Sequence, residues 1–313
     1  MKYVYGPVPS RRLGNSLGID PLPLKTCNYQ CIYCQLGRTT NFTNIRKNFY
    51  PRKEIIMEME KAFELHENTI DYITFVGSGE PTLYKDLKEL IKRAKEISDK
   101  PVCVITNGSL LIQKAVQQSL LNSDLIIPSF DAGDNIQFKK INRPHPSIHF
   151  KDLIRGLINF KKIFKGDLWI EVMVMKGIND SKEHLLKIKK YLDLINPNRI
   201  DINVPIRPPF EKWVKIPDDS ITTVLDEVFE DYSNINYPEK GKFKIYSTNF
   251  EKEILSILER HPMRQNQIIE TFSSSENNID RIITKLEELR TKDKIMKVVY
   301  NKQIFWKIKT DRN

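Results

Sequence analysis

Cysteine and histidine are scarce in this sequence, with four cysteines and five histidines among 313 residues. So few cysteines exclude a small disulfide-held scaffold, which needs several pairs for its length. Cys27, Cys31 and Cys34 fall within eight residues, whereas Cys103 stands alone in an apolar run that reads as core. A structural zinc site takes four ligands, usually as two close pairs, and no histidine is spaced to complete this cluster. The cysteines therefore argue against zinc.

Long apolar runs are also absent. No stretch of about 18 apolar residues occurs, which argues against a membrane-spanning helix. The opening "MKYVYGPVPSRRLG" lacks the apolar core of about 7–15 residues that a secretory signal peptide carries. We therefore expect a cytoplasmic protein without membrane contact. Thiols stay reduced in that compartment, so clustered cysteines there bind metal more often than they form disulfides.

Basic residues are in excess, and the net charge is +10. Residues 35–53 carry five basic residues and no acid, interleaved with Phe42, Phe49 and Tyr50. Residues 139–165 carry eight basic residues against one acid. Such stretches could bind phosphate groups while the aromatic rings stack on bases. They could equally form a solvated face of a lysine-rich protein, and the sequence leaves both interpretations open.

Short β-branched runs alternate with longer amphipathic runs through most of the chain. The predicted strands are residues 15–23, 71–81, 101–109, 124–133, 167–180 and 199–209, the later ones including the turn that follows each strand. Repeated strand–helix units are typical of a parallel sheet. Six units predict the α/β fold class, as a partial (β/α)6 barrel. Its small and polar loops follow the strands, at the edge where such folds place their active sites.

The pattern changes near residue 248, so we predict two domains, residues 1–247 and 248–313. The second shows three helical runs (250–262, 263–272 and 279–295) and a hairpin around Asn301 and Lys302. This order resembles a small winged helix-turn-helix domain. The third helix mixes acidic and basic residues, whereas a helix that reads DNA is more strongly basic. A substrate-holding or partner-binding role is therefore favoured over DNA binding.

Three thiolates on an iron–sulfur cluster leave one iron open for another ligand. The spacing C-x3-C-x2-C, with Tyr33 before the last cysteine, resembles that of radical S-adenosylmethionine (SAM) enzymes across about residues 10–245. The resemblance implies that Cys27, Cys31 and Cys34 hold a 4Fe–4S cluster whose open iron binds SAM. It also implies reductive cleavage of SAM to a 5′-deoxyadenosyl radical, which abstracts hydrogen from a substrate.

Further motifs extend the resemblance. "GSGEP" (77–81) is similar to the Gly-Gly-Glu-Pro loop of the family, with Ser78 in place of the second glycine. The resemblance implies that the loop binds SAM, with Glu80 accepting from the methionyl ammonium. The implied SAM-binding residues are Tyr33, Gly79, Glu80, Pro81, Asn107, Ser129, Asp131 and Arg143. Asn107, Ser129 and Asp131 would hydrogen-bond the ribose or methionyl groups and Arg143 would pair with the carboxylate, but each could equally be an ordinary turn or cap residue.

The remaining polar candidates are weaker. His145 and His149 lack a decisive metal-binding spacing, and we interpret them as loop residues. Lys176 and Arg207 follow the last two strands, where a substrate would lie, and we expect both to be solvated residues of the rim. No catalytic residue beyond the cofactor site is assigned.

The opening "YGPVPSRRLGNSLGID" resembles iron–sulfur oxidoreductases related to wyosine synthesis on tRNA, although this chain has no cysteine before Cys27 for a second cluster. The first hypothesis is therefore a radical SAM oxidoreductase acting on RNA, such as tRNA, with a ferredoxin or flavodoxin as reductant. The second is the same chemistry on a peptide or protein. The third is an iron–sulfur sensor that binds DNA through its C-terminal domain.

Overall fold

The computed structural model describes residues 1–239, 241–273 and 279–309. Its larger part is a sheet flanked by helices. The strands are β1 (Val4–Ser10), β2 (Gly14–Ile19), β3 (Thr26–Cys27), β4 (Asn41–Phe42), β5 (Tyr72–Phe75), β6 (Val102–Thr106), β7 (Leu125–Pro128), β8 (Asp167–Met173), β9 (Arg199–Asn203) and β10 (Ser233–Asn234). The helices are α1 (Arg52–His66), α2 (Leu87–Ile97), α3 (Lys114–Leu120), α4 (Asn135–Ile141), α5 (Phe150–Ile163), α6 (Lys182–Ile195) and α7 (Ile221–Val228).

The main sheet has the order β1-β2-β5-β6-β7-β8-β9-β10. All neighbours from β2 to β10 are parallel, and β1 is antiparallel to β2. The six strands β2 and β5–β9 are the predicted six, so the partial (β/α)6 barrel is confirmed. The sequence analysis missed β1, because Gly6, Pro7 and Pro9 interrupt it. Proline is tolerated there since β1 lies at the edge of the sheet.

The barrel is held together by apolar strands buried under amphipathic helices. In β6, Val102 and Val104 are fully buried, and so is Cys103, which confirms its reading as a core thiol. Helix α2 buries residues at helical spacing against this layer, namely Leu87, Leu90, Ile91 and Ala94. Each fully buried Leu or Ile contributes about 1.5–3 kcal/mol relative to exposure. The loops after the strands are thereby fixed at one edge of the sheet.

The C-terminal elements are α8 (Phe250–Leu258), β11 (Met263–Arg264), α9 (Gln265–Phe272), α10 (Ile279–Thr291), β12 (Ile295–Tyr300) and β13 (Gln303–Ile308). They supply the three predicted helices and the hairpin, and β11 adds a third strand beside β13. Asn301 and Lys302 both have positive φ, as a two-residue hairpin turn requires. The winged-helix assignment stays a prediction. Phe243 packs in this C-terminal core although it precedes the predicted boundary at 247/248. The boundary itself stays a prediction.

Buried polar contacts attach the C-terminal elements to the barrel. Arg260 Nε donates to Asp20 Oδ2 at 2.9 Å, and their side chains are only 7% and 1% exposed. Glu239, equally buried, accepts from Arg207 at 2.9 Å and lies 3.1 Å from His261 Nε2. No helix of the described residues has both the length and the apolar character needed to cross a membrane.

The contact around His261 predicts a pH dependence of stability. Burial, with a further contribution from the charge of Arg207, lowers the pKa of His261 to about 4. The unfolded chain protonates this histidine first as pH falls, so its stabilising contribution is complete above about pH 6.5 and is lost towards pH 4. Between these pH values His261 should lower the free energy of unfolding by up to about 1.4 kcal/mol per pH unit. This decrease should be absent in His261→Gln.

Denaturant titrations between pH 7 and pH 4 would measure the effect, with His145→Gln, in a loop, as the matched control. Identical pH slopes for wild type and His261→Gln would contradict the prediction.

Candidate active site

Three cysteines line one cavity of about 310 Å³ at the carboxyl ends of the parallel strands. Gly79 and Glu80 reach it after β5, Asn107 after β6 and Ser129 after β7. Of the eleven residues implied by the family resemblance, the structure brings together Cys27, Cys31, Tyr33, Cys34, Gly79, Glu80, Asn107 and Ser129. Pro81, Asp131 and Arg143 do not line this cavity.

The cysteine loop is held by its backbone on both sides. On one side, Glu80 N donates to Thr26 O at 3.1 Å. On the other, His145 N donates to Asn28 O at 2.8 Å and Ile32 N donates to Ile141 O at 2.9 Å. These contacts come from the loop after β5, from the last residue of α4 and from the loop that follows α4. The barrel therefore fixes the direction in which the three thiols point.

Each sulfur has a nitrogen donor from the protein. Tyr29 N lies 3.4 Å from Cys27 Sγ and Asn142 Nδ2 lies 3.7 Å from Cys31 Sγ. Lys25 Nζ, from a buried lysine, lies 3.2 Å from Cys34 Sγ. Hydrogen bonds to the sulfurs are one of the means by which proteins tune iron–sulfur clusters. This donor set suits thiolates that carry the negative charge of a cluster.

Burial raises the pKa of the Cys27 thiol to about 12 and that of Cys31 well above its usual range. Without a metal these groups stay protonated at neutral pH, so metal binding has to displace their protons. Among the described residues, no group of three or more Cys, His, Asp or Glu side chains is arranged around a single metal ion. A 4Fe–4S cluster differs, because each thiolate binds a separate iron. Three spaced thiols around one cavity fit such a cluster.

Only glycine fits at position 79, because a side chain there would collide with the neighbouring backbone. A Cβ atom there would lie 1.6 Å from the carbonyl oxygen of Thr26. Thr26 and Gly79 form a parallel β-bridge, which ties the cysteine loop to the "GSGEP" loop. Pro81, buried, begins a single 3-10 turn directly after Glu80. The glycine and the proline thus shape the loop, and Glu80 is the residue that the loop presents.

Glu80 is almost entirely buried and strongly hydrogen-bonded. Its Oε1 accepts from Thr82 N at 3.0 Å, from Thr82 Oγ1 at 2.6 Å and from Thr106 Oγ1 at 2.6 Å. Its Oε2 accepts from Asn107 N at 2.6 Å. Oε2 has one donor and Oε1 has three, so Oε2 is the less occupied of the two oxygens. The geometry is compatible with the predicted ammonium contact.

Asn107 connects the loop after β6 to the cysteines. Its Nδ2 donates to Asn28 Oδ1 at 2.7 Å and lies 3.9 Å from Cys27 Sγ. Ser129 N donates to Thr106 O at 3.0 Å, which places Ser129 in the cavity wall beside Asn107. Both residues stay predicted SAM contacts.

Asp131 lies beneath the site and contacts protein groups. Its Oδ2 accepts from Tyr33 OH at 2.6 Å and from Asn142 Nδ2 at 2.8 Å, and its Oδ1 accepts from Met173 N at 2.9 Å. Burial raises the pKa of this carboxyl to about 6, against the effect of those hydrogen bonds. Asp131 therefore orients Tyr33 and Asn142, the latter a neighbour of Cys31. This supporting position differs from the direct ribose or methionyl contact that the resemblance implied.

Arg143 lies in a different place from the one its predicted role requires. Its guanidinium pairs with Glu211 and lines a separate surface groove. Arg143 follows α4 and has positive φ. Arg207, expected on the solvated rim, is instead mostly buried and lines the active cavity. Lys176 does lie at the surface, paired with Asp218.

Sequence reasoning missed several residues of the site. Arg11 and Arg12 line the cavity from the turn between β1 and β2, and Lys25 and Asn142 contact the sulfurs. The signal for the arginines is the adjacent pair in "SRRLG", to which the motifs assigned no role. Lys25 has positive φ, which is rare for lysine and cannot be read from the sequence.

The Radical SAM superfamily profile matches residues 22–188, more than half of the chain. The chain belongs to the radical SAM superfamily. A UPF0026 protein of Methanocaldococcus jannaschii is 38% identical over 312 residues, covering 98% of this chain and 96% of that protein. The solved structure of TYW1 with a lysine–pyruvate adduct is similar in fold, with a TM-score of 0.54 and 18% identity over 69% of this chain and 74% of that one.

A Brachyspira hyodysenteriae protein named GTPase Obg is 44% identical over 294 residues, or 92% of this chain. The chain spans only 43% of that relative's length. The sequence contains no G-x4-G-K-S/T motif, the loop that cradles nucleotide phosphates in P-loop GTPases. Radical SAM enzymes use a 4Fe–4S cluster and SAM, and the chain is an enzyme of this class.

Replacement of Cys27, Cys31 or Cys34 by alanine should remove most of the broad visible absorbance of the reconstituted protein, because each thiolate holds a separate iron. Cys103→Ala is the matched control: it deletes a buried thiol of the core and should keep the spectrum. A spectrum that survives any of the three substitutions would refute the ligand assignment, as would its loss in Cys103→Ala with the fold intact.

Gly79→Ala should greatly reduce cluster content, because the added methyl group forces Thr26 and the adjoining Cys27 to move. Gly177→Ala is the control: Gly177 has positive φ but no atom within 4 Å of an added Cβ. The control should cost about 1–2 kcal/mol of stability, because alanine is disfavoured at positive φ, and should keep its iron. Iron and sulfide content per chain measures both, and full occupancy in Gly79→Ala would count against the contact.

Proposed function

We propose that this radical SAM enzyme acts on RNA, with tRNA as the leading candidate. The observation that carries the proposal is a surface groove of about 580 Å³ beside the cysteine loop. Tyr29 lines the active cavity and Gln30 lines the groove, so consecutive residues separate the two. We propose that a polymer bound in the groove presents a neighbouring unit to the cavity.

The groove joins the two basic stretches of the sequence. Phe42 comes from the first stretch, whereas Lys139, Arg143 and His145 come from the second. Phe42 is 41% exposed, and its ring centroid lies 5.4 Å from that of His145. Lysine and arginine bind phosphate groups, and exposed aromatic rings stack on unpaired bases. This combination supports RNA as the substrate and favours a nucleic-acid partner over a merely solvated face.

The chain's own residues would hold, orient and shield the reactants. When bound, the cluster and SAM supply a carbon radical that removes hydrogen from the substrate. Cys27, Cys31 and Cys34 would hold the cluster, and Glu80 and Asn107 would orient the methionyl end of SAM. The buried walls of the cavity would keep water from the reacting atoms. An external one-electron donor, such as a ferredoxin or flavodoxin, would supply the electron.

The C-terminal domain supports an enzyme better than a DNA-binding sensor. Tyr300 OH, at the end of β12, donates to Pro205 O at 2.7 Å, and Pro205 lines the active cavity. Lys307 on β13 is buried and lines a small pocket together with Gln35 and Leu36, which also line the active cavity. A hairpin packed against the barrel is not free to lie along a DNA backbone. We propose that this domain forms part of the substrate-binding face.

The reconstituted, reduced enzyme should produce 5′-deoxyadenosine faster with RNA from its source cells than alone, and ribonuclease treatment of the RNA should abolish the increase. Stimulation by a peptide fraction instead would support the alternative, a peptide or protein substrate. DNA retention without SAM cleavage would revive the sensor. Either result would contradict the RNA proposal.

The groove can be tested separately by RNA binding. Phe42→Ala should weaken binding by roughly 1–3 kcal/mol through lost stacking. Lys139→Gln should reduce the salt dependence of binding by about one counterion. Lys162→Gln, which removes an exposed lysine of the same basic stretch outside the groove, is the matched control. Equal effects of Lys139→Gln and Lys162→Gln would show that the groove has no special role.

A further inference from the structure

Two arginines in the active cavity have donors without a partner among the described residues. We propose that Arg11 and Arg207 form an anion-binding subsite that holds an acidic group of the substrate, a phosphate or a carboxylate. The inference rests on the proposed function only in assuming that the substrate enters this cavity. It adds a chemical requirement that the radical chemistry alone does not impose.

The first observation is the environment of Arg11. Its Nη1 donates to Asn203 Oδ1 at 2.8 Å and to the carbonyl oxygen of Ile235 at 2.6 Å, and both acceptors are neutral. Arg11 forms no ion pair within the described part of the chain, whereas the neighbouring Arg12 pairs with Glu171. Glu171 lines the same cavity but pairs with Arg12, and the charges of Glu171 and Glu239 favour the charged form of Arg11 without forming an ion pair with it. A largely buried guanidinium without a direct carboxylate partner is costly unless an anion joins it.

The second observation is that another cation lies close by. Burial and the charge of Arg207 both lower the pKa of Arg11. Arg207 donates from Nη1 to Gln35 Oε1 at 2.8 Å and from Nη2 to Glu239, and its buried Nε has no partner among the described residues. Two guanidinium groups of like charge, each with unused donors, line the same cavity. An oxyanion would relieve their repulsion and accept those donors.

The third observation is that both arginines are held in place. Asn203 ends β9 and fixes Arg11, while Glu239 and Gln35 fix Arg207. Glu239 also contacts His261 and Gln267 of the C-terminal domain. The position of Arg207 thus depends on contacts from both domains. Guanidinium groups that are held rigidly in one orientation are suited to selecting one oxyanion group.

The subsite shares the cavity with the residues assigned to SAM but is built from other strands. Glu80 and Asn107 follow β5 and β6, whereas Arg11 contacts β9 and Arg207 follows it. The acidic group that it would hold is therefore that of the substrate and not the methionyl carboxylate of SAM. The affinity for SAM distinguishes the two possibilities.

The test measures anion binding by the reconstituted holoenzyme at constant ionic strength. Inorganic phosphate and acetate are titrated separately by calorimetry into wild type, Arg11→Gln and Arg155→Gln, an exposed arginine that serves as control. We expect saturable binding by wild type and the control, at least tenfold weaker binding by Arg11→Gln, and SAM affinity unchanged within about twofold. The anion that binds more tightly identifies the acidic group.

Anion binding by Arg11→Gln equal to wild type would overturn the proposal, and so would a tenfold loss of SAM affinity together with the anion. If Arg11→Gln fails to fold, wild type provides the same test without a variant. Phosphate or acetate should then protect Arg11 from an arginine-specific dicarbonyl reagent, read by mass spectrometry of its peptide. Unchanged modification would refute the subsite. RNA stimulation plays no part in either readout, so failure of the RNA proposal would be distinguishable.

Discussion

Gly79 approaches the carbonyl oxygen of Thr26 more closely than any residue with a side chain could, and the arrangement of the site follows from this contact. Thr26 directly precedes the first cysteine, and Gly79 directly precedes Glu80. The β-bridge between Thr26 and Gly79 therefore fixes the distance between the cysteine thiols and the Glu80 carboxylate. The hydrogen bond between Asn107 and Asn28 makes a similar connection between the cysteine loop and the loop after β6, the next strand of the sheet.

Asp20 extends this constraint to the C-terminal domain. Its Oδ2 accepts from Ser78 Oγ at 2.6 Å and from Arg260 Nε at 2.9 Å. Ser78 stands where the family pattern has a glycine, so this departure supplies a hydrogen bond that a glycine could not make. The same carboxylate thus joins the "GSGEP" loop and the C-terminal domain. Removing one partner would leave a buried charge without compensation, which is strongly destabilising.

The sequence predicted the parts of the protein that depend on local pattern. Six parallel strands followed from alternating runs, and the cavity-lining Cys27, Glu80 and Asn107 followed from motifs at strand ends. Arg143 and Arg207 could not be placed, because their positions depend on which distant carboxylate each one meets. Arg143 pairs with Glu211 and lies in the groove, whereas Arg207 pairs with Glu239 and lies in the cavity. Contacts between residues distant in sequence decide such cases, and a single sequence does not reveal them.

The central claim is that three cysteines hold a cluster with one iron available to SAM. Electron paramagnetic resonance of the anaerobically reduced protein, recorded with and without SAM, tests it most directly. We expect a 4Fe–4S signal whose g values shift when SAM is added, because SAM changes the ligands of one iron. A signal that SAM leaves unchanged would show that no iron is open to it. The absence of any cluster signal from fully reconstituted protein would contradict the assignment of the three cysteines.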